Sequence, residues 1–346
     1  MKYALVGNQN CGKSTLFNRL TGENQHVGNF PGQTMEEKTG TLKNHSTETI
    51  VDLPGIYSLS PYSNEEILTR DYLLKEKPDC IINLVDANTI ERSLYLSLQL
   101  IELNIPMVIA LNMMDVLNNN GGTIKIQELS LELGVPVVPI TANKNEGIGE
   151  LIKTAIQTAE ENRCPIRRDF CSGAIHRTIH AIYHLIEDHA ERINISPRFV
   201  ATKLVEGDQP LLDALKLNAN EIDMIDHSVR EMEKELDTDR KAAIADMRYD
   251  FIEKICGKAV IRSENNYEHS RSLKIDKVLT NRFLAIPIFL AIMLFIFWIT
   301  FSVVGTPLSD LINQGFAILH ENLKTAFDNY GLNPIVQSLI LDGALT

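Results

Sequence analysis

Residues 7–15, GNQNCGKST, leave a short apolar run, YALV, and lead into STLFNRL, which has the apolar spacing of a helix. Gly7, four residues, then Gly12-Lys13-Ser14 match the G-x-x-x-x-G-K-[ST] spacing of a phosphate-binding loop between a strand and a helix. Glycine lets the chain turn tightly, so the N–H groups of Gly7, Asn8, Gln9, Asn10, Cys11, Gly12, Lys13, Ser14 and Thr15 can wrap a β-phosphate. Lys13 would reach the β- and γ-phosphates, and the Ser14 hydroxyl would be a ligand for Mg²⁺. The N-terminus of the following helix adds partial positive charge on the same side. A chance glycine-rich turn is the competing reading, and the strand before it and helix after it count against that reading.

Over residues 1–162, apolar runs (KYALVG, ETIVDLPG, DCIINLVDA, PMVIALNMMD, VPVVPITA) alternate with helical patterns such as TIERSLYLSLQLIELN and GIGELIKTAIQTAEEN. This alternation predicts βαβ units, hence an α/β domain with a mainly parallel sheet and helices on both faces. GTLKNHSTETIVD predicts a hairpin and one antiparallel edge. Ligands of such sheets bind at the carboxyl ends of the strands, and the polar motifs fall there. Asp52, Leu53, Pro54 and Gly55 end a strand, with Asp52 suited to Mg²⁺ and the Gly55 N–H to a γ-phosphate. Asn112, Met113, Met114 and Asp115 end another. A carboxylate at Asp115 can accept from guanine N1–H and the 2-amino group, donors that adenine lacks. Thr141, Ala142 and Asn143 follow the last strand and can offer an N–H to guanine O6. Between the first helix and the hairpin, Gly32, Gln33 and Thr34 form a loop whose threonine supplies a second hydroxyl for Mg²⁺ when a γ-phosphate is present. Together these motifs predict GTP rather than ATP, with Lys13, Thr34 and Gly55 in the hydrolytic machinery. Two switches follow from this: switch I at about 27–34 and switch II at 52–63.

Residues 163–265 differ. Ile175, Ile179, Ile182, Ile186, Ala190 and Ile193 recur at helical steps, and EIDMIDHSVREMEKELDTD and RKAAIADMRYDFIEKICGKAV are helical patterns. A small all-α domain is expected. His176, His180 and His184 form an i, i+4, i+8 row; a solvated flank beside the isoleucine face explains it as well as metal binding does. A basic linker (266–282, with Arg271, Lys274, Lys277 and Arg282) precedes an uncharged apolar run at 283–304. A 22-residue helix is about 33 Å long, enough for a hydrocarbon core of about 30 Å. Lys324 is the only Lys or Arg after it, so the positive-inside rule puts residues 1–282 in the cytoplasm and the chain in a cell membrane. A core helix of a soluble protein is the alternative. One span encloses no route, so residues 305–346 are expected to begin a larger membrane part absent from this chain. A net charge of −12 argues against nucleic-acid partners. Five cysteines without C-x-x-C spacing suit a reducing compartment. Cys11 is expected to contribute its N–H, and Cys80 to lie in the core.

The five motifs resemble those of small Ras-like GTPases. The wording GNQNCGKST, VGNFPGQT, DLPGIYSL and NMMD, followed by a helical segment and a span, resembles the prokaryotic ferrous-iron transport protein B family. That resemblance implies Fe²⁺ as the transported ion, a helical domain that slows GDP release, and room for a small cytosolic accessory protein or a homo-oligomer. It also implies a K⁺ ion held by Asn10 together with switch-I carbonyls from residues 28–32. Two departures from ordinary small GTPases bear on mechanism. Ile56 stands where those proteins carry the glutamine that orients water, so hydrolysis is expected to be slow without added positive charge. Met113 replaces the lysine of N-K-x-D. The rival reading is a potassium-dependent GTPase of ribosome or tRNA maturation, which would call for a basic RNA-binding module.

Overall fold

The computed structural model describes residues 1–22, 25–29, 36–45, 47–166, 169–261 and 285–330. They fall into two units, Met1–Glu264 and Asn265–Thr346. The first is built on a seven-stranded sheet of β1 (Lys2–Gly7), β2 (Gln25–Asn29), β3 (Glu36–Thr41), β4 (Thr49–Asp52), β5 (Cys80–Asp86), β6 (Met107–Asn112) and β8 (Val137–Pro139). Its spatial order is β2-β3-β4-β1-β5-β6-β8. The five strands from β4 to β8 are parallel, and Leu5 lies opposite Asp52, Gly7 opposite Leu84, and Asp86 opposite Asn112. This register brings the carboxyl ends of β1, β4, β5 and β6 to one edge.

The antiparallel edge is wider than expected. Besides the hairpin of β3 and β4, β2 pairs antiparallel with β3, with Gly28 opposite Glu37 and Asn29 opposite Glu36. The first part of the expected switch I is therefore strand, and residues 28 and 29 of the 28–32 stretch lie in β2. A five-residue edge strand without clear alternation leaves little signal in the sequence. Gly32, Gln33 and Thr34 lie outside the described residues.

Alternation along β1 shows how the layers form. Tyr3 and Leu5 face α1 (Lys13–Thr21) and α6 (Ile148–Glu160), whose Leu16, Phe17, Leu20, Leu151 and Ala155 complete one core. Ala4 and Val6 face the other way, toward α2 (Asn64–Lys75) and α3 (Ile90–Glu102) through Leu68, Leu73, Leu94 and Leu98. Helix α2 starts at a capping box: Ser63 Oγ accepts from the Glu66 N–H, and the Glu66 carboxylate accepts from the Ser63 N–H. Two short helices, α4 (Met114–Asn119) and α5 (Ile126–Leu133), and the two-residue β7 (Thr123–Ile124) follow β6.

Five helices come next: α7 (Gly173–Arg192), α8 (Pro197–Glu206), α9 (Gln209–Leu215), α10 (Ala219–Leu236) and α11 (Arg240–Ala259). Ile179, Ile182, Ile186 and Ala190 of α7 pack with Val200, Leu204, Ile225, Val229 and Ile244, while Ile175 and Ile193 sit at the margin of that core. Helix α11 belongs to both halves of the unit. Its Ala243, Ile244 and Met247 join the helical core, whereas Ile252, Ile255, Cys256 and Ala259 join the core beneath the sheet. Beyond it, β9 (Val260–Ile261) pairs with β7.

In the second unit a continuous helical stretch runs through helix Ala285–Trp298, a π-helical segment Ile299–Gly305 and helix Thr306–Tyr330. Within it, Ala285–Ala326 is long and apolar enough, by length and composition, to cross a membrane. The π segment ends two residues before Pro307, which has no N–H to give the preceding turn. The Thr306 hydroxyl donates to the Phe301 carbonyl at 2.9 Å. The basic residues 271, 274, 277 and 282 lie outside the described residues.

Candidate nucleotide-binding site

The loop between β1 and α1 turns through two left-handed residues, Asn10 (φ 63°) and Gly12 (φ 94°). Asparagine tolerates this conformation, whereas Gly12 is required for space as well: a Cβ there would lie 2.6 Å from Asn112 Nδ2. The turn leaves a cleft of about 430 Å³ lined by Asn8, Gln9, Asn10, Gly12, Lys13, Ser14, Thr15 and Gly55. Gly55 comes so close to Gln9 that a Cβ would lie 3.1–3.3 Å from its side chain and backbone. Gln9, Asn10 and Ser14 are exposed, and Asn8 and Cys11 are buried. The Cys11 thiol is pushed up to about 11, chiefly by burial, so it stays protonated at neutral pH. The Asn8 side chain donates to the Arg92 carbonyl at 3.4 Å while its buried Oδ1 has no partner.

Lys13 and Asp52 meet: Nζ lies 2.5 Å from Oδ1. Asp52 is held at the end of β4 by its register with β1, and the Leu53 N–H continues the ladder to the Leu5 carbonyl at 3.1 Å. The next turn is tied back by the Ile56 N–H, which donates to the Gly7 carbonyl at 3.2 Å. The Ile56 side chain is 2% exposed and packed in the core beneath the sheet, so it points away from any attacking water.

Asn112 joins three motifs. Its Nδ2 donates to the Cys11 carbonyl at 2.9 Å, and its Oδ1 accepts from the Ala142 N–H at 3.0 Å. Met113 follows in a left-handed conformation (φ 63°) that starts α4 and presents half-buried Asp115. Thr141 and Ala142 are buried and Asn143 is exposed. The loop carrying them closes on itself, Thr141 and Glu146 exchanging N–H···O bonds of 3.1 and 3.2 Å.

The motifs do not reveal two further residues. Lys144 makes an ion pair with Asp115 at 3.0 Å, and this hydrogen bond holds the Asp115 carboxyl below its usual range. The cation missing at Met113 thus has a counterpart on the next loop, and position beside Thr141-Ala142-Asn143 was its only sequence signal. Arg19 of α1 donates from Nε to the Ala142 carbonyl at 3.2 Å and from its terminal nitrogen to the Asn143 carbonyl at 3.0 Å. The helix that follows the 7–15 loop therefore also positions the 141–143 loop, the one expected to read the base.

The donor sets suit the expected ions. Ser14 and Asp52 offer hard oxygens appropriate to Mg²⁺. The Asn10 side chain makes no hydrogen bond among the described residues, which leaves its carbonyl oxygen available to a monovalent cation.

Comparison with known proteins agrees with this geometry. Residues 1–155 match the family model of ferrous iron transport protein B, and residues 172–261 match that of the FeoB cytosolic helical domain. An Fe(2+) transport protein A/Fe(2+) transporter FeoB fusion protein from Porphyromonas gingivalis is 36% identical, across 100% of this chain and 41% of that protein. A GDP-bound single-site mutant of the S. thermophilus FeoB G-domain is 41% identical with a TM-score of 0.72, over 75% of this chain and 100% of that one. NFeoB from S. thermophilus bound to GDP.AlF4⁻ and K⁺ is likewise 41% identical, with a TM-score of 0.68 over 74% and 99%. The chain spans about half or less of the length of the curated relatives it matches, 41% and 51% for two of them. Over both its α/β and its helical part, the chain belongs to the ferrous iron transport protein B family.

Proposed function

We propose that this chain is the GTP-hydrolysing cytosolic portion and first membrane segment of a ferrous-iron uptake transporter, switching with the γ-phosphate to regulate Fe²⁺ passage. The observation that carries the nucleotide part is the Asn112 side chain, which ties the phosphate loop at Cys11 to the base-reading loop at Ala142. A guanine nucleotide laid along that line meets the Asp115 carboxylate at its base and Lys13 at its phosphates. Lys13 now rests on Asp52. On binding GTP, Lys13 turns to the phosphate oxygens and frees Asp52, which with Ser14 and Thr34 would hold Mg²⁺. That ion supplies charge neutralisation on the β- and γ-oxygens.

Hydrolysis is attack of water on the γ-phosphorus, breaking the β–γ phosphoanhydride. No side chain of the site is a convincing general base, and buried Ile56 takes no part in orienting water. Rate enhancement then rests on electrostatic stabilisation of developing charge. Asn10 is suited to hold K⁺ beside the transferred phosphoryl group, where an arginine finger acts in other GTPases. The relative that holds K⁺ with GDP.AlF4⁻ supports this reading. The 163–265 segment is read as the module that slows GDP release, and residues 1–282 as cytoplasmic. The net charge of −12 disfavours the RNA-maturation rival.

The test is GTP turnover by the detergent-solubilised chain in matched KCl and NaCl, for wild type and Asn10→Ala. Slow turnover that KCl accelerates, and that loses this acceleration in Asn10→Ala, is expected. Equal rates in both salts would remove the K⁺ role, and no phosphate release at all would leave only a GTP-binding tether.

A further inference from the structure

The segment leading into α7 and the first turn of that helix bring together three side chains that the nucleotide site does not use. Asp169, Cys171 and His176 place a carboxylate, a thiol and an imidazole with their ligand atoms all within 4.8 Å of one another. Cys171 Sγ lies 3.5 Å from His176 Nδ1 and 2.9 Å from Asp169 Oδ1, and His176 Nδ1 lies 3.1 Å from Asp169 Oδ2. Donors at the usual 2.0–2.3 Å around a tetrahedral ion stand about 3.3–3.6 Å apart. The three are close to that spacing already, and the turn is held by the Cys171 N–H donating to Asp169 Oδ1 at 3.2 Å. His176 and Asp169 keep 40% and 50% of their side-chain surface exposed, which leaves an open side for water as a fourth ligand.

A cation is already present. The Arg198 guanidinium of α8 donates from one nitrogen to Asp169 Oδ1 and to Cys171 Sγ, both at 3.0 Å. Its fit is incomplete, because its buried Nε has no partner. We propose that Asp169, Cys171 and His176 form a binding site for a divalent transition metal of the Fe²⁺ or Zn²⁺ class, in competition with the Arg198 guanidinium. Thiolate with imidazole selects such borderline metals over Mg²⁺ and Ca²⁺, which prefer all-oxygen shells. On binding, metal–sulfur, metal–nitrogen and metal–oxygen bonds replace bonds to water. The Cys171 thiol proton leaves to solvent, Arg198 withdraws from the sulfur, and no electrons are transferred. The site is independent of the nucleotide reading.

Titration of the full chain in detergent with Co²⁺, anaerobically and in excess Mg²⁺, tests the proposal through the near-ultraviolet absorption of a thiolate–Co²⁺ bond. A saturable single-site band is expected. It should vanish in Cys171→Ser, weaken at least about tenfold in His176→Ala, and persist in Cys164→Ser. Arg198→Met should bind Co²⁺ more tightly, by on the order of tenfold. Displacement of Co²⁺ by Fe²⁺, by Zn²⁺ or by both assigns the occupant. Absence of a saturable band, a band that survives Cys171→Ser, or displacement by neither metal would overturn the site. Unchanged affinity in Arg198→Met would overturn the competition.

Discussion

Asn112 is 4% exposed, and both ends of its amide are used, one on the phosphate loop and one on the base-reading loop. Asn112→Ala would leave the buried Cys11 carbonyl and Ala142 N–H unpaired, at about 1–3 kcal/mol for each group. A lower melting temperature and a GDP affinity weakened about tenfold or more are expected, read by calorimetry. An unchanged GDP affinity would show that the two loops are positioned by other contacts. Asp115 gives a pH-dependent counterpart. Lys144 holds its carboxyl below the usual range, so the ionised form that guanine requires is present above that lowered pKa and is lost only as pH falls through it. Lys144→Ala should therefore move the acid limb of GDP binding to higher pH while changing affinity little at neutral pH. Asp115 was legible in the sequence because it sits in a motif. Lys144 and Arg19 were not, because their partners are reached only through the fold.

Between elements, the 59–60 segment of the expected switch II is tied to the helical segment through a buried polar cluster. The Leu59 N–H donates to Gln99 Oε1 at 2.9 Å, and Lys203 of α8 donates to Ser60 Oγ and Gln99 Oε1, both at 3.2 Å, and to Glu206 at 2.7 Å. Arg248 of α11 then joins Glu206 at 2.7 Å and Glu102 of α3 at 3.2 Å. A second tie is the buried pair Arg70–Asp208 at 2.6 Å, from α2 to the cap of α9. Removing one partner of such a buried set costs about 3–5 kcal/mol because a charge is stranded. Arg248→Met strands the Glu102 carboxylate, while Glu206 keeps Lys203, and should lower the melting temperature strongly. Burial pushes the Glu102 carboxyl up, so Glu102→Gln loses less charge and should be milder. Equal effects would place the weight on packing rather than charge. Both variants should also alter GDP release, measured by stopped flow, if Leu59 and Ser60, which bond to the same cluster, belong to a nucleotide switch. No pattern in the sequence singled out α8, α9 or this cluster. Buried lysine and arginine look like surface residues until their partners are known.

For the whole molecule, the 285–330 helical stretch is the feature that bears on membrane association. Ile286, Phe289, Leu290, Leu294, Phe295, Trp298 and Phe301 are all at least half exposed, the kind of apolar surface that marks a membrane or protein interaction site. Flotation with liposomes should carry the full chain and leave residues 1–264 behind. A full chain that stays in the aqueous fraction would contradict a membrane-spanning role.

The sequence by itself determined the phosphate loop, the parallel-sheet architecture, the guanine motif, the helical character of the second segment and the apolar run. Each of these is written in local spacing and periodicity, which survive without a partner. Only the tertiary structure decided that Ile56 is buried, that residues 25–29 add an edge strand, and that Asn112 staples two loops. It alone showed α11 shared between two cores and Asp169, Cys171 and His176 gathered beside Arg198. These depend on contacts between elements distant in sequence, and a one-dimensional pattern carries no measure of which side chains the packed layers bring within a hydrogen bond of one another.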